Sequence, residues 1–205
     1  MTLPAPPTDP EILADFPARS LQADFPFARV HSAVQDPEWF CSDGRCRFDP
    51  FDAAAAGFGT CYVATHVLGA YIEKFARFER AIPRSVVDAH RLSQLLLPSP
   101  VRVADMTDRT IAGRWNLSAE IWAGDDYEGS QRWAQALSRA GFNGICYPAR
   151  HDTQAILLSV AVFGKPGYQP TEMIQYNAPQ PIPPELIEDA ARQFGVEVLP
   201  GSPLM

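Results

Sequence analysis

The stretch FGTCYVATHVLGAYIEKF, residues 58–75, changes its hydrophobic period partway along, and the fold reading turns on that change. Thr60–Thr65 (TCYVAT) is a short run of apolar, β-branched and aromatic residues, the pattern of a buried strand. From His66 the spacing becomes helical. Leu68, Tyr71, Ile72, Phe75 and Phe78 share one apolar stripe, which predicts a helix from His66 to about Arg80 with Thr65 as its cap. Gly69, Ala70, Glu73 and Ala76 form a neighbouring stripe of small residues with a single carboxylate. Small neighbours let another backbone, or a ligand, come close to Glu73.

Upstream, Phe27–His31 reads as a short strand. Residues 35–59 are polar and turn-rich, long for a connection in a compact domain, and long structured loops often serve a site. Residues 1–26 hold six prolines, so the first ten are expected to be extended or frayed, with a short helix near Glu11. Downstream, Val86–Leu97 is ambiguous, Val101–Ala104 reads as a strand and Thr107–Ala123 as a mixed region. Gly129–Ala140 is an amphipathic helix with Ser130 as its expected cap and Gly141 as its stop. Asn143–Tyr147 and Ala155–Phe163 read as strands, the second apolar enough to be central. Pro184–Phe194 is a last helix, and Val196–Leu199 an edge strand or tail. Strands and helices without regular βαβ alternation predict an α+β fold.

At 205 residues, with 46% hydrophobic and 20% charged, the chain is long enough for one domain with its own core and too apolar to be wholly disordered. It lacks a run long enough to cross a bilayer and a basic-then-apolar start, which predicts a cytoplasmic protein with no membrane partner. A net charge of −7 argues against a general nucleic-acid binder. All but two of the 17 basic residues are arginine, whose rigid fork suits carboxylate or phosphate even in an acidic protein. Cys41, Cys46, Cys61 and Cys146 lack C-x2-C spacing and read as free thiols, so no metal is expected.

No dinucleotide glycine fingerprint, phosphate loop, H-E-x-x-H helix or G-x-S-x-G elbow is present. The constellation that remains is Arg29, Arg47, Tyr62 and Glu73. Each alone has an ordinary structural reading: an ion pair for either arginine, core packing for Tyr62, a surface or capping role for Glu73. Spacing does not bring the four together.

An early Arg, then GRCRFDP (44–50), FGTCYVATHVLGAYIEKF (58–75), GSQRWAQALSRAGFNGICYPARHD (129–152) and SVAVFG (159–164) occur in order. Together they resemble the RES-domain family, the toxin component of Xre–RES toxin–antitoxin pairs. The resemblance implies an ADP-ribosyltransferase-like fold of mixed and antiparallel sheets with flanking helices. It also implies NAD as substrate, hydrolysed, phosphorolysed or used to transfer ADP-ribose to a protein acceptor. The implied partner is an Xre-like antitoxin that covers the site, with nucleic acid bound only through that complex. By position the family's catalytic residues match Arg29, Arg47, Tyr62 and Glu73, with His31, Arg150 and Gln154 as further candidate ligand contacts.

The resemblance divides the chain into an N-terminal extension (1–26), a catalytic domain (27–165) and a C-terminal appendage (166–205) that packs on the domain or trails from it. Trp122 and Trp133 read as core residues. Two positions depart from the family pattern. Ala149 stands where a serine is usual, and Val30 with His31 stands where a tyrosine follows the early arginine; on a strand His31, not Val30, shares a side with Arg29. These departures motivate the alternative of a catalytically weakened module that binds NAD or ADP-ribose.

Overall fold

Segments far apart in the sequence assemble one twisted sheet, and the place where that sheet comes apart is where the site lies. The structure is a computed structural model that describes residues 3–76 and 81–201. In chain order the strands are β1 (Ala18–Leu21), β2 (Phe27–Ser32), β3 (Trp39–Phe40), β4 (Gly59–Ala64), β5 (Ala81–Pro83), β6 (His90–Leu96) and β7 (Val101–Asp105). They continue with β8 (Gly144–Pro148), β9 (Leu158–Gly164), β10 (Gly167–Tyr168), β11 (Ile174–Gln175), β12 (Gln180–Pro181) and β13 (Glu197–Leu199). The helices are α1 (Ala53–Ala56), α2 (Val67–Phe75), α3 (Arg84–Asp88), α4 (Thr110–Trp115), α5 (Glu120–Ala123), α6 (Glu128–Arg139) and α7 (Pro184–Phe194). A 3-10 helix spans Pro10–Asp15.

The main sheet runs β1-β7-β8-β9-β4-β2-β6-β11, with β12 also on β6. Only β7 and β8 pair in parallel within it. The fold is thus α+β with a mainly antiparallel mixed sheet, and β9 is central as its apolar sequence predicts. β4 pairs along its whole length with β9, and β2 along its whole length with β6. Between β2 and β4 the register holds at a single pair, Ala28 and Ala64. Beyond it the strands part, leaving a gap between Arg29–His31 and the facing residues of β4. Helix α2 packs on β2, β4 and β9 at this gap, and α7 packs on α2.

Local chemistry explains where the elements start. Thr65 stays outside the helix, its N–H and hydroxyl both donating to the Leu158 carbonyl, so α2 begins one residue later than expected. Its cap is His66, whose Nδ1 accepts from the Leu68 N–H. Gly69 faces the sheet, where a Cβ would make ordinary contact with the Ala64 and Leu157 Cβ atoms at 3.4 and 3.6 Å. Phe78 and Arg80 of the expected helix lie outside the described residues. Ser130 does not cap α6; it sits inside the first turn, fully buried, with its hydroxyl donating to the Ile121 carbonyl. Strand β9 starts at Leu158, not Ala155, because the Asp152 carboxylate accepts the N–H groups of Gln154, Ile156 and Leu157 and holds that segment as a turn.

The ambiguous Val86–Leu97 segment divides into the end of α3 and the whole of β6. From Leu3 onward the N-terminal segment is packed on the domain. Leu3 packs on the core, Pro4 accepts a 2.8 Å bond from the Trp133 indole, Leu13 and Phe16 are fully buried, and β1 extends the sheet edge. At the other end, β11 and β12 extend the β2–β6 side of the sheet, and β13 pairs in parallel with β5. No helix among the described residues is long and apolar enough to cross a membrane.

Candidate active site

The gap between β2 and β4 opens into a cavity of about 230 Å³. Residues 28–31 of β2 form one wall and residues 62–64 of β4 another; Ala70, Glu73 and Lys74 of α2 close one side. Across from them lie Cys41, Cys46 and Arg47 of the β3–β4 connection, with Trp122, Tyr127, Tyr147, Arg150, His151 and Ser159. Arg29, His31, Arg47, Tyr62, Glu73 and Arg150 therefore share one cavity. Gln154 does not: it is exposed in the Asp152 turn and lies off the cavity wall.

Arg29 spans the gap. Its Nη1 donates to the carbonyls of Pro37 and Trp39 at 2.7 and 2.9 Å and to the Cys61 sulfur, which ties β2 to both β4 and the following loop. His31 is buried beside it. Its Nδ1 faces the Ser32 and Gln35 carbonyls, so that nitrogen carries the proton, and Nε2 accepts from the Ser93 hydroxyl. Burial, and then the nearby Arg29 charge, push the His31 pKa down, opposed by the two carbonyls, so the ring is neutral at pH 7.

Arg47 departs from the rule that buried charges are paired. It is 9% exposed, stacks at 4.6 Å over the Tyr127 ring, and its buried Nη1 has no hydrogen-bond partner among the described residues. Burial lowers its pKa from the ordinary guanidinium value. A desolvated cation with an unused donor on a cavity wall is arranged for an anion.

Tyr62 and Asp49 support that wall from behind. The Tyr62 hydroxyl donates to Asp49 Oδ1 at 3.1 Å and accepts from the Phe48 N–H at 2.8 Å, while Asp49 Oδ2 accepts from the Cys46 N–H. Burial raises the Tyr62 pKa well above that of a free phenol, and burial raises Asp49 to about 6. Tyr62 thus offers its ring to a ligand while its hydroxyl is committed to the loop that carries Arg47. Opposite, Glu73 Oε1 accepts the Arg150 backbone N–H at 2.7 Å, fixing the carboxylate at the cavity edge. The Arg150 guanidinium turns outward to exposed Asp125.

Several lining residues carried no signal in the sequence. Tyr127 comes from a loop outside the quoted landmarks, Tyr147 from within the 129–152 landmark but not singled out there, and Trp122, expected in the core, is half-buried and lines the cavity. Ala149 is buried against the α2 and α7 cluster, so no side-chain hydroxyl stands there. Ser159, paired across the strands with Tyr147, puts a buried hydroxyl on the cavity wall without a well-formed hydrogen bond.

A family model described as RES domain matches residues 26–177. The chain belongs to the RES-domain family. The match takes in β2 through β11, and so both walls of the cavity, Arg29 through Arg150. Among solved structures, this RES-domain chain is similar to one described as the crystal structure of the M. tuberculosis MbcT-MbcA toxin–antitoxin complex. The TM-score is 0.61 at 18% identity, covering 83% of this chain and 90% of that one. That similarity establishes a shared fold. No curated protein matches this RES-domain sequence.

Proposed function

We propose that this RES-domain protein is the toxin of a toxin–antitoxin pair and that its cavity takes NAD, cleaving the nicotinamide–ribose bond. The observation that carries the reading is Arg47: a nine-tenths buried guanidinium with an unpartnered Nη1, on the same cavity as the oriented Glu73 carboxylate. NAD supplies the two features these groups call for, a pyrophosphate anion and a sugar carbon that becomes positive during bond cleavage. As the C–N bond lengthens, oxocarbenium character builds at the anomeric carbon, and Glu73 stabilises it while accepting a ribose hydroxyl bond. Arg47, with Tyr127 stacked on it, holds a phosphate. Nicotinamide departs as a neutral base with the bonding electron pair, so no general acid is required.

The cavity is smaller than a whole dinucleotide, and in this reading the nicotinamide–ribose end lies inside beside Glu73 with the adenosine end toward the opening. The acceptor that takes the ribosyl carbon is water, phosphate or a protein side chain. An Xre-like antitoxin that covers the opening would neutralise the toxin, and nucleic acid would be bound through that complex.

The test is incubation of the purified protein with NAD, with and without phosphate and candidate protein acceptors. Free nicotinamide is expected, and Glu73→Gln, which keeps an acceptor for the Arg150 N–H, is expected to slow its release on the order of 10²–10³-fold. The product distinguishes the acceptors: ADP-ribose, its 1-phosphate or a labelled protein. A folded protein that releases no nicotinamide under any of these conditions overturns the enzyme reading. A second reading is favoured by Ala149, which leaves no serine hydroxyl at that point of the site. In it the protein binds NAD or ADP-ribose as a regulatory module, and calorimetry showing binding without turnover would select it.

A further inference from the structure

Cys41, Cys46 and Asp49 present their sulfur and carboxylate oxygen atoms within 4.8 Å of one another, a cluster that the proposed NAD chemistry does not use. Its geometry comes from a turn, not from a C-x2-C knuckle. Gly44, at φ +75°, reverses the chain between the two cysteines, and Cys46 and Asp49 are joined by the Cys46 N–H bond to Asp49 Oδ2.

The turn is held at several points. The Cys41 backbone exchanges both hydrogen bonds with Thr60 of β4, at 2.9 and 2.7 Å. The Gln131 side chain of α6 donates to the Gly44 and Cys46 carbonyls at 2.8 and 3.0 Å. Asp49 is fully buried and oriented by the Tyr62 hydroxyl. These are the outer contacts that orient first ligands in metal sites.

We infer that Cys41, Cys46 and Asp49 form a zinc site on the wall of the cavity. Two thiolates and one carboxylate are a soft, borderline donor set suited to Zn²⁺. Tetrahedral zinc with its usual bond lengths keeps such ligand atoms roughly 3.5–3.8 Å apart. The three ligand atoms lie within 4.8 Å of one another, so each pair need close by little more than roughly an ångström to reach that spacing. Binding forms two Zn–S bonds and one Zn–O bond and releases the two thiol protons to solvent, so a site holding two thiols and a carboxylate becomes a complex of net charge −1. Asp49 lies behind and both cysteines line the cavity, which leaves the fourth position facing the cavity, open to water.

The full-length protein, reduced with a phosphine and freed of metal, is titrated with Co²⁺ and then with Zn²⁺ alone. One equivalent of Co²⁺ is expected to give a thiolate-to-cobalt charge-transfer band and intense tetrahedral visible bands, both bleached by Zn²⁺. Cys41→Ser and Cys46→Ser are each expected to weaken zinc binding by more than roughly tenfold and to lower the charge-transfer band by half or more. Cys146→Ala, which removes a buried thiol outside the cluster, is expected to change neither. Absence of the band in the unmutated protein, or unchanged zinc affinity in either folded serine variant, overturns the site. Nicotinamide release plays no part in these measurements, so their failure leaves the NAD reading standing.

Discussion

Arg47 sets ligand binding against stability in one side chain. Its guanidinium is buried with a donor that no described residue uses, a cost to the fold; an anion would turn the same donor into a charge-assisted bond. Arg47→Met, which retains most of the apolar stem, is therefore expected to raise the denaturation midpoint of the free protein. The same change is expected to weaken ADP-ribose binding by about 1.5–3 kcal/mol, or roughly 10–100-fold, in calorimetry. A variant that loses stability and keeps its affinity would show that the guanidinium belongs to the framework. His31 sets the pH dependence at the opposite wall. Its pKa is lowered in the folded protein, so both states are neutral well above the unfolded value of about 6.5 and His31 then contributes no slope. As pH falls through 6.5 the unfolded chain takes up the proton first. Stability is lost until the folded pKa has been passed. His31→Gln is expected to flatten the stability curve below about pH 6.5, measured as the difference between the two proteins in urea midpoint from pH 7.5 to 5.

At the scale of elements, glycine positions separate what packing forbids from what it merely leaves unfilled. A Cβ on Gly144 of β8 would sit 2.4 Å from the Ala161 carbonyl oxygen, a backbone atom that cannot step aside. Gly113 of α4 has nothing within 4 Å of where its Cβ would stand. Gly144→Ala is expected to cost about 1–3 kcal/mol, and Gly113→Ala to stabilise by up to about 1 kcal/mol, both read from thermal or urea unfolding. Equal and small effects would mean that β8 and β9 can separate without cost. Such constraints also mark what the sequence could convey. Strands β2 and β4 and helices α6 and α7 were legible within a residue or two, because each carries a clean apolar period over several positions, whereas β9 was placed three residues too early at its start. Two-residue ladders such as β3 with β10 have no period to read, and the Asp152 turn depends on a carboxylate reaching forward to three N–H groups. Glu73 and Tyr62 were legible as candidates because they flank the switch from strand to helix at residues 60–66. The contributions of Tyr127, Tyr147 and Ser159 were not, since only the assembled fold brings a loop ring and the β8–β9 pair onto the cavity wall. The zinc cluster was hidden for a related reason: its spacing looks wrong until Gly44 folds the turn.

For the molecule as a whole, the two terminal segments support different halves. The N-terminal arm buries Leu13 and Phe16 against Trp133, in the cluster that backs α6 and the β8 side of the sheet. The C-terminal helix α7 buries Leu186 and Ala190 in the cluster beneath α2, which carries Glu73. Leu13→Ala and Leu186→Ala each remove a nearly fully buried leucine and are each expected to cost about 2–5 kcal/mol of folding stability. Their effects on the site are expected to differ. A cavity under α2 allows that helix to settle and moves the Glu73 carboxylate relative to Arg47, and a misplacement of about 1 Å costs on the order of 10²-fold in a positioned reaction. A cavity beside Trp133 does not lie under α2, whose apolar face belongs to the other cluster, and so leaves the seat of Glu73 in place. Under conditions where both variants remain folded by circular dichroism, nicotinamide release should fall steeply for Leu186→Ala and stay near the parent rate for Leu13→Ala. Equal losses would mean that the two clusters act as one mechanical unit, and that the gap in the sheet is held open by the whole core and not by the helix seated on it.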